Sequence, residues 1–210
     1  MSRPSNKEII ELYGLPGAGK TTLAKRLVAE YGFVLSAPIL KKTNYLTLTV
    51  QYPSVVYAWL KVITKNHRHT KNWSLFTYNV SLLFSSLQKI NEAFKSSAPA
   101  VIVDEGLVQR LLSYSDVVLT EKEIKTLLKI SPKGRTIFFV NDREVLGDRY
   151  SPSHVRTKLG EEYLAKWKHN LKQNLTLVTH VLGASPDVDL IESKDMSADD
   201  ILQKLTESTS

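Results

Sequence analysis

The sequence predicts an α/β fold, a central parallel sheet with helices on both faces. Three observations lead there. Short apolar runs at Glu8–Tyr13, 33–37, Ala100–Val103, 136–140 and 175–182 alternate with stretches of helical periodicity. The runs are apolar throughout, as strands covered on both faces are. Four of them end at Gly14, Asp104, Asn141 and Gly183. In open parallel sheets, ligands bind beyond the carboxyl ends of the strands, so these four positions should converge on one site.

Taken in order, Glu8–Tyr13 reads as a buried strand running into a turn at Gly14. From Thr21, the residues Leu23, Ala24, Leu27 and Val28 recur at helical spacing up to Gly32, a helix stop. The second strand follows at 33–37. Phe76, Val80, Leu83, Phe84, Leu87, Ile90 and Phe94 form one stripe of a long helix. Pro99 precedes the apolar run into Asp104. Ile124, Leu127 and Leu128 suggest a short helix, and 136–140 a fourth strand. Leu159, Tyr163, Leu164, Trp167 and Leu171 mark a further helix, 175–182 a fifth strand, and 197–205 a closing helix.

At 210 residues, with 42% apolar and 23% charged side chains, one ordered domain over 1–210 is expected. No run approaches the ~18 apolar residues of a membrane span, and the polar start has no secretory core. The chain has no cysteine. That excludes disulfides, thiolate catalysis and Cys-based metal sites, and suits a reducing, cytoplasmic setting. The net charge of +7 is uneven: residues 1–100 carry +9 and 101–210 carry −2. From 31 to 91 there is no acid, against seven bases: Lys41, Lys42, Lys61, Lys65, Arg68, Lys71 and Lys89. A field of one sign points to an anionic partner.

Gly14-Leu15-Pro16-Gly17-Ala18-Gly19-Lys20-Thr21 matches G-x-x-x-x-G-K-[ST]. Glycines let successive backbone N–H groups curl into an anion nest, and the following helix adds its positive end. Lys20 would bridge β- and γ-phosphates, the Thr21 hydroxyl would ligate Mg²⁺, and Thr22 would lie beside them. Its place between a strand and a helix is the confirming context. Val101-Ile102-Val103-Asp104-Glu105 resembles a Walker B strand, whose carboxylate holds Mg²⁺. The guanine-reading N-K-x-D and the transporter signature L-S-G-G-Q are absent from the sequence. Glu105 keeps a hydrolytic reading open, because a second acid can polarise water.

After the fourth strand, Asn141-Asp142-Arg143-Glu144-Val145-Leu146-Gly147-Asp148-Arg149-Tyr150 leads to Arg156. Here the chain resembles the nucleoside and nucleotide kinase group of P-loop proteins, which includes thymidylate and deoxynucleoside kinases. The resemblance implies a five-stranded three-layer P-loop fold, order 2-3-1-4-5. It also implies a lid at about 142–156, closing Arg143 and Arg149 over ATP with Arg156 as a weaker candidate, and an acceptor-binding helical region at about 38–98. Ala184 would pack on the adenine. The chain departs from the group in two places. Leu35-Ser36-Ala37-Pro38 carries no acid where deoxynucleoside kinases have a base, and Glu105-Gly106 stands where thymidylate kinases have an arginine.

The expected activity is ATP- and Mg²⁺-dependent transfer of the γ-phosphoryl group to a small anionic or nucleotide-like metabolite. Lys41, Lys42, Arg68 and Arg110 would grip that acceptor, and Asp104 or Glu105 would serve as base if the acceptor is a hydroxyl. The alternatives are an ATPase or nucleotide-driven switch without acceptor, and a polynucleotide kinase, which no RNA-binding motif supports. A homodimer stays open. His67-Arg68-His69 reads as a loop rather than a metal site, and the sequons at Asn72, Asn79 and Asn174 as idle.

Overall fold

Alternating side chains along the first strand set the layers. The computed structural model describes residues 8–15, 18–37, 43–114, 116–134, 136–139, 155–184 and 190–192, with Asp200 and Gln203. On β1 (Glu8–Tyr13), Ile10 and Leu12 join Ala24, Leu27 and Ile102 in one apolar cluster, beneath α1 (Lys20–Tyr31). Ile9 and Tyr13 join the larger cluster on the opposite face. That face carries α2 (Thr43–Gln51), α3 (Pro53–Thr70), α4 (Trp73–Lys95), α5 (Leu107–Ser113), α6 (Glu121–Ile130) and α7 (Glu161–Gly183).

The sheet is parallel, in the order β2 (Val34–Leu35), β3 (Ala100–Val103), β1, β4 (Thr136–Phe139), β5 (Leu190–Glu192). Glu11 sits opposite Val103, and Tyr13 opposite Phe139. The loop after β1 and the turn after β3 therefore leave the same edge side by side.

The fifth strand is not where the sequence suggests. Residues 175–182 are the last turns of α7. Over eight residues, Leu175, Thr176, Leu177, Val178 and Thr179 look like a β-branched strand. Over the whole helix, the buried residues Trp167, Asn170, Leu171, Asn174, Val178, Val181 and Leu182 form a stripe of period 3.6. The edge strand is Leu190–Glu192, paired with β4. Ala184 accordingly caps a helix and does not follow a strand, so its expected place beside an adenine is lost. The second strand is also shorter than expected, and most of 197–205 lies outside the described residues.

Local chemistry fixes the helix ends. Gly32 takes a left-handed φ of 71° and donates to Leu27 O, ending α1. Asn72 accepts from Leu75 N to start α4, and Thr120 and Glu123 form a capping box on α6. All three sequon asparagines serve the fold. Asn79 and Asn174 are buried, and Asn174 accepts from Leu119 N while donating to Val117 O. Of the aromatics in 31–91, Trp59 is core and meets the Tyr114 ring edge-on, whereas Tyr57 and Trp73 are exposed.

Glu11 occupies the middle of this architecture. It is fully buried in the central strand, on the face that meets α5, and accepts from Val108 N at 2.6 Å. Gly106 precedes α5 because nothing larger fits: a Cβ there would stand 2.3 Å from Glu11 Oε1 and 2.4 Å from its Cδ. Gly106→Ala should therefore destabilise the protein by roughly 1–3 kcal/mol through overpacking. A urea denaturation midpoint unchanged from the parent would contradict this close approach.

Candidate functional site

The site begins where β1 gives way to α1. Gly19, with φ 85°, precedes Lys20 at the helix start, and no side chain among the described residues caps the helix. An uncapped helix N-terminus presents unpaired N–H groups and positive dipole charge, to which an anion is the natural complement. Ala18 is buried, and Thr21 and Thr22 lie exposed in the first turn of α1. Pro16 and Gly17 lie outside the described residues.

Lys20 is 8% exposed and folds back on its own loop, donating from Nζ to Gly14 O at 3.0 Å and Leu15 O at 2.9 Å. Burial pushes its ammonium down to about 8, opposed by Glu105 and Asp104 and assisted by Arg110. Parallel pairing of β1 with β3 and the bond from Arg110 to Glu105 bring Lys20, Asp104, Glu105 and Arg110 to one edge of the sheet.

Asp104 and Glu105 follow β3 and are each paired. Asp104 Oδ1 accepts from Lys89 Nζ at 2.7 Å, both side chains being mostly buried. Glu105 Oε2 accepts from Arg110 Nη2 at 3.0 Å. Burial would raise the Glu105 carboxyl, but Arg110, Lys89 and Lys20 hold it below the usual carboxylate range. It is thus an anion at neutral pH, with a side chain about half exposed. Arg110 itself is 3% exposed, and its Nε has no hydrogen-bond partner among the described residues. It reaches the site through Glu105.

Sequence reasoning missed three contributors. Lys89 counted only as part of a basic segment, yet α4 delivers it to Asp104. Gln109 accepts from Gly14 N at 3.0 Å in a buried contact, tying α5 to the phosphate loop. Glu11 was passed over, although one acid inside an apolar strand is a flag, because a buried carboxylate needs donors.

Other expected residues fall elsewhere. Arg68 lines a groove of about 950 Å³ between α3 and α6, with Tyr57, Lys61, Lys65 and Lys122. Neighbouring Asn66 bonds Tyr114 O, and Tyr114 bonds Asn79 O. Asn79 and Lys89 are about 15 Å apart along α4 by the rise of a helix, so Arg68 belongs to the far end of the helical layer. Arg156 does not serve a lid. It is 2% exposed, lies over the Tyr78 and Trp167 rings, and donates to Asn79 Oδ1 and Ser113 O. Asp116 stands 3.9 Å away and also binds the Tyr163 hydroxyl. His67 closes α3 against Trp73 and Phe76. Lys41, Lys42, Arg143 and Arg149 lie outside the described residues.

Comparison with known proteins adds two findings. The family model described as Schlafen group 3, DNA/RNA helicase domain, matches residues 7–191. Among solved structures, the chain is similar to the YorR protein of Bacillus subtilis in complex with phosphorylated GDP, at 15% identity and a TM-score of 0.40, over 95% of this chain and 94% of that one. No curated protein matches. With its G-x-x-x-x-G-K-[ST] loop between the central strand and α1, the chain has a P-loop-like nucleotide-binding fold, and the match over 7–191 means that it belongs to the Schlafen group 3 DNA/RNA helicase domain family.

Proposed function

We propose that the chain binds ATP at the loop 14–21 and transfers its γ-phosphoryl group to a small anionic acceptor. The observation that carries this reading is the charge array at the sheet edge: Lys20, Lys89 and Arg110 surround Glu105 and Asp104. Three cations around two carboxylates suit a reaction in which phosphate charge must be balanced on both sides of the transferred group. The helical layer inserted between β2 and β3 supplies Lys89 and a wall on the acceptor side.

Magnesium fits the donor set. Thr21, in the first turn of α1, offers a hydroxyl and Asp104, directly after β3, a carboxylate, both hard oxygens. No group of three or more His, Cys, Asp or Glu gathers among the described residues. That suits a cation taking one or two protein ligands plus phosphates and water. Bound there, it would neutralise charge on the β- and γ-oxygens. Lys89 would then yield its hold on Asp104 Oδ1. Lys20 would leave the carbonyls of Gly14 and Leu15 for the phosphates. Glu105, kept ionised, would accept a proton if the acceptor is a hydroxyl. Arg143 and Arg149 would supply lid charge, and Lys41 and Lys42 would hold the acceptor's anionic group.

A second reading has its own support. The family is described as a DNA/RNA helicase domain, and α3 carries Lys61, Lys65 and Arg68 with no acid. These favour nucleotide hydrolysis stimulated by nucleic acid. The readings separate in one assay of phosphate release and phosphoryl transfer, with ATP and Mg²⁺ alone, with a panel of anionic metabolites, and with single-stranded DNA or RNA. Transfer that appears only with a small acceptor supports the kinase. Release stimulated by nucleic acid, falling steeply with salt, supports the other. In either case Lys20→Ala should abolish turnover, and activity surviving in that variant would exclude the loop as the nucleotide site.

The lowered Lys20 adds a pH signature. Phosphates stabilise its charged form, so its value rises on binding. Between the free value, about 8, and the bound one, binding takes up a proton, and affinity falls as pH rises through 8. Calorimetry in buffers of different ionisation enthalpy should find about half a proton taken up at pH 8 and almost none at pH 6. Equal heats in all buffers at pH 8 would refute the role of Lys20.

A further inference from the structure

We infer that Gln109 is a positioning residue for the phosphate loop, holding Gly14 in place while Lys20 exchanges its partners. The inference rests on the nucleotide-binding reading of that loop. Gly14 is gripped from both sides of its backbone: its N–H donates to Gln109 Oε1 at 3.0 Å, and its C=O accepts from Lys20 Nζ at 3.0 Å. When Lys20 turns to phosphate, the second grip is released. The first remains, because Gln109 belongs to an element that cannot follow.

That element is α5. Three consecutive residues bind three different parts of the site. Val108 N is held by Glu11 Oε1, Gln109 holds Gly14, and Arg110 holds Glu105. The Gln109 and Arg110 side chains point about 100° apart around the helix, and the Val108 amide holds its first turn, so together these contacts fix the helix about its axis. Every residue from Leu107 to Leu112 is buried, and Gly106 packs on Glu11 with no room for a methyl group. Gln109, 4% exposed, thus transmits the position of a rigid helix to the first residue of the loop. Without its oxygen, the buried Gly14 N–H would lose this partner, at a cost that favours other loop conformations. Binding then weakens in proportion to the fraction of loops still competent.

The test uses the full chain and MgATP. Gln109→Met keeps the shape and removes the oxygen; Gln109→Glu keeps an acceptor at the same reach. Kd is measured on folded protein at 25 °C, and exchange of the Gly14 amide is followed by NMR. In Gln109→Met we expect Kd to rise about tenfold and protection of the Gly14 amide to be lost, with protection returning in Gln109→Glu. A purely structural residue would lower the melting temperature and leave Kd of the folded protein unchanged; that result overturns the proposal, as does an unchanged Gly14 amide in Gln109→Met. If the parent binds no MgATP, the nucleotide reading and this inference fall together. If the parent binds, Lys20→Ala does not, and Gln109→Met matches the parent, only the role of Gln109 is lost.

Discussion

A carboxylate sealed inside a β-sheet holds this site together. Glu11 lies in the central strand, fully buried, and its oxygen receives the Val108 amide at the start of α5. An ionisable group in such a place is costly unless it is hydrogen-bonded, so the bond both helps to satisfy Glu11 and fixes the start of α5 against the strand. From α5 come Gln109 on the phosphate loop and Arg110 on Glu105. Parallel pairing does the rest: β1 and β3 in register deliver Lys20 and the Asp104–Glu105 turn to the same edge.

Two of the cations at that edge are paired with its two carboxylates, and the third is held by backbone oxygens. Lys20 rests on two carbonyls, Lys89 on Asp104, and Arg110 on Glu105. Each contact satisfies a buried or half-buried charge, and under the proposed function the first two are the ones a polyphosphate and its counter-ion would replace. Charged side chains ordered beforehand in this way would limit the entropy that binding has to spend.

What could be read from the sequence was local. The strand–loop–helix from Glu8 to Gly32 is encoded within 25 consecutive residues, so its motif, helix stop and lysine were legible. The long stripe of α4 was legible because one face of it is apolar over many turns. Residues 175–182 were misread because β-branched side chains on a buried helix face imitate a strand in a short window, and only the stripe extending back to Trp167 distinguishes them. Arg156 looked like Arg143 and Arg149 in sequence. Its burial among Tyr78, Trp167 and Asn79 depends on residues far along the chain. The pairing of Lys89 with Asp104 and of Gln109 with Gly14 is likewise tertiary, and no spacing rule announces either.

The three tryptophans sit in three unlike surroundings. Trp59 and Trp167 are almost fully enclosed, one against Tyr114 and the other beneath the Arg156 guanidinium, while Trp73 is 68% exposed at the hairpin between α3 and α4. The chain's intrinsic fluorescence is therefore a composite: two shielded indoles that emit toward the blue, and one hydrated indole open to iodide quenching. Selective quenching of the red-edge component would follow the hairpin tip alone, giving an optical view of the helical layer without any attached dye.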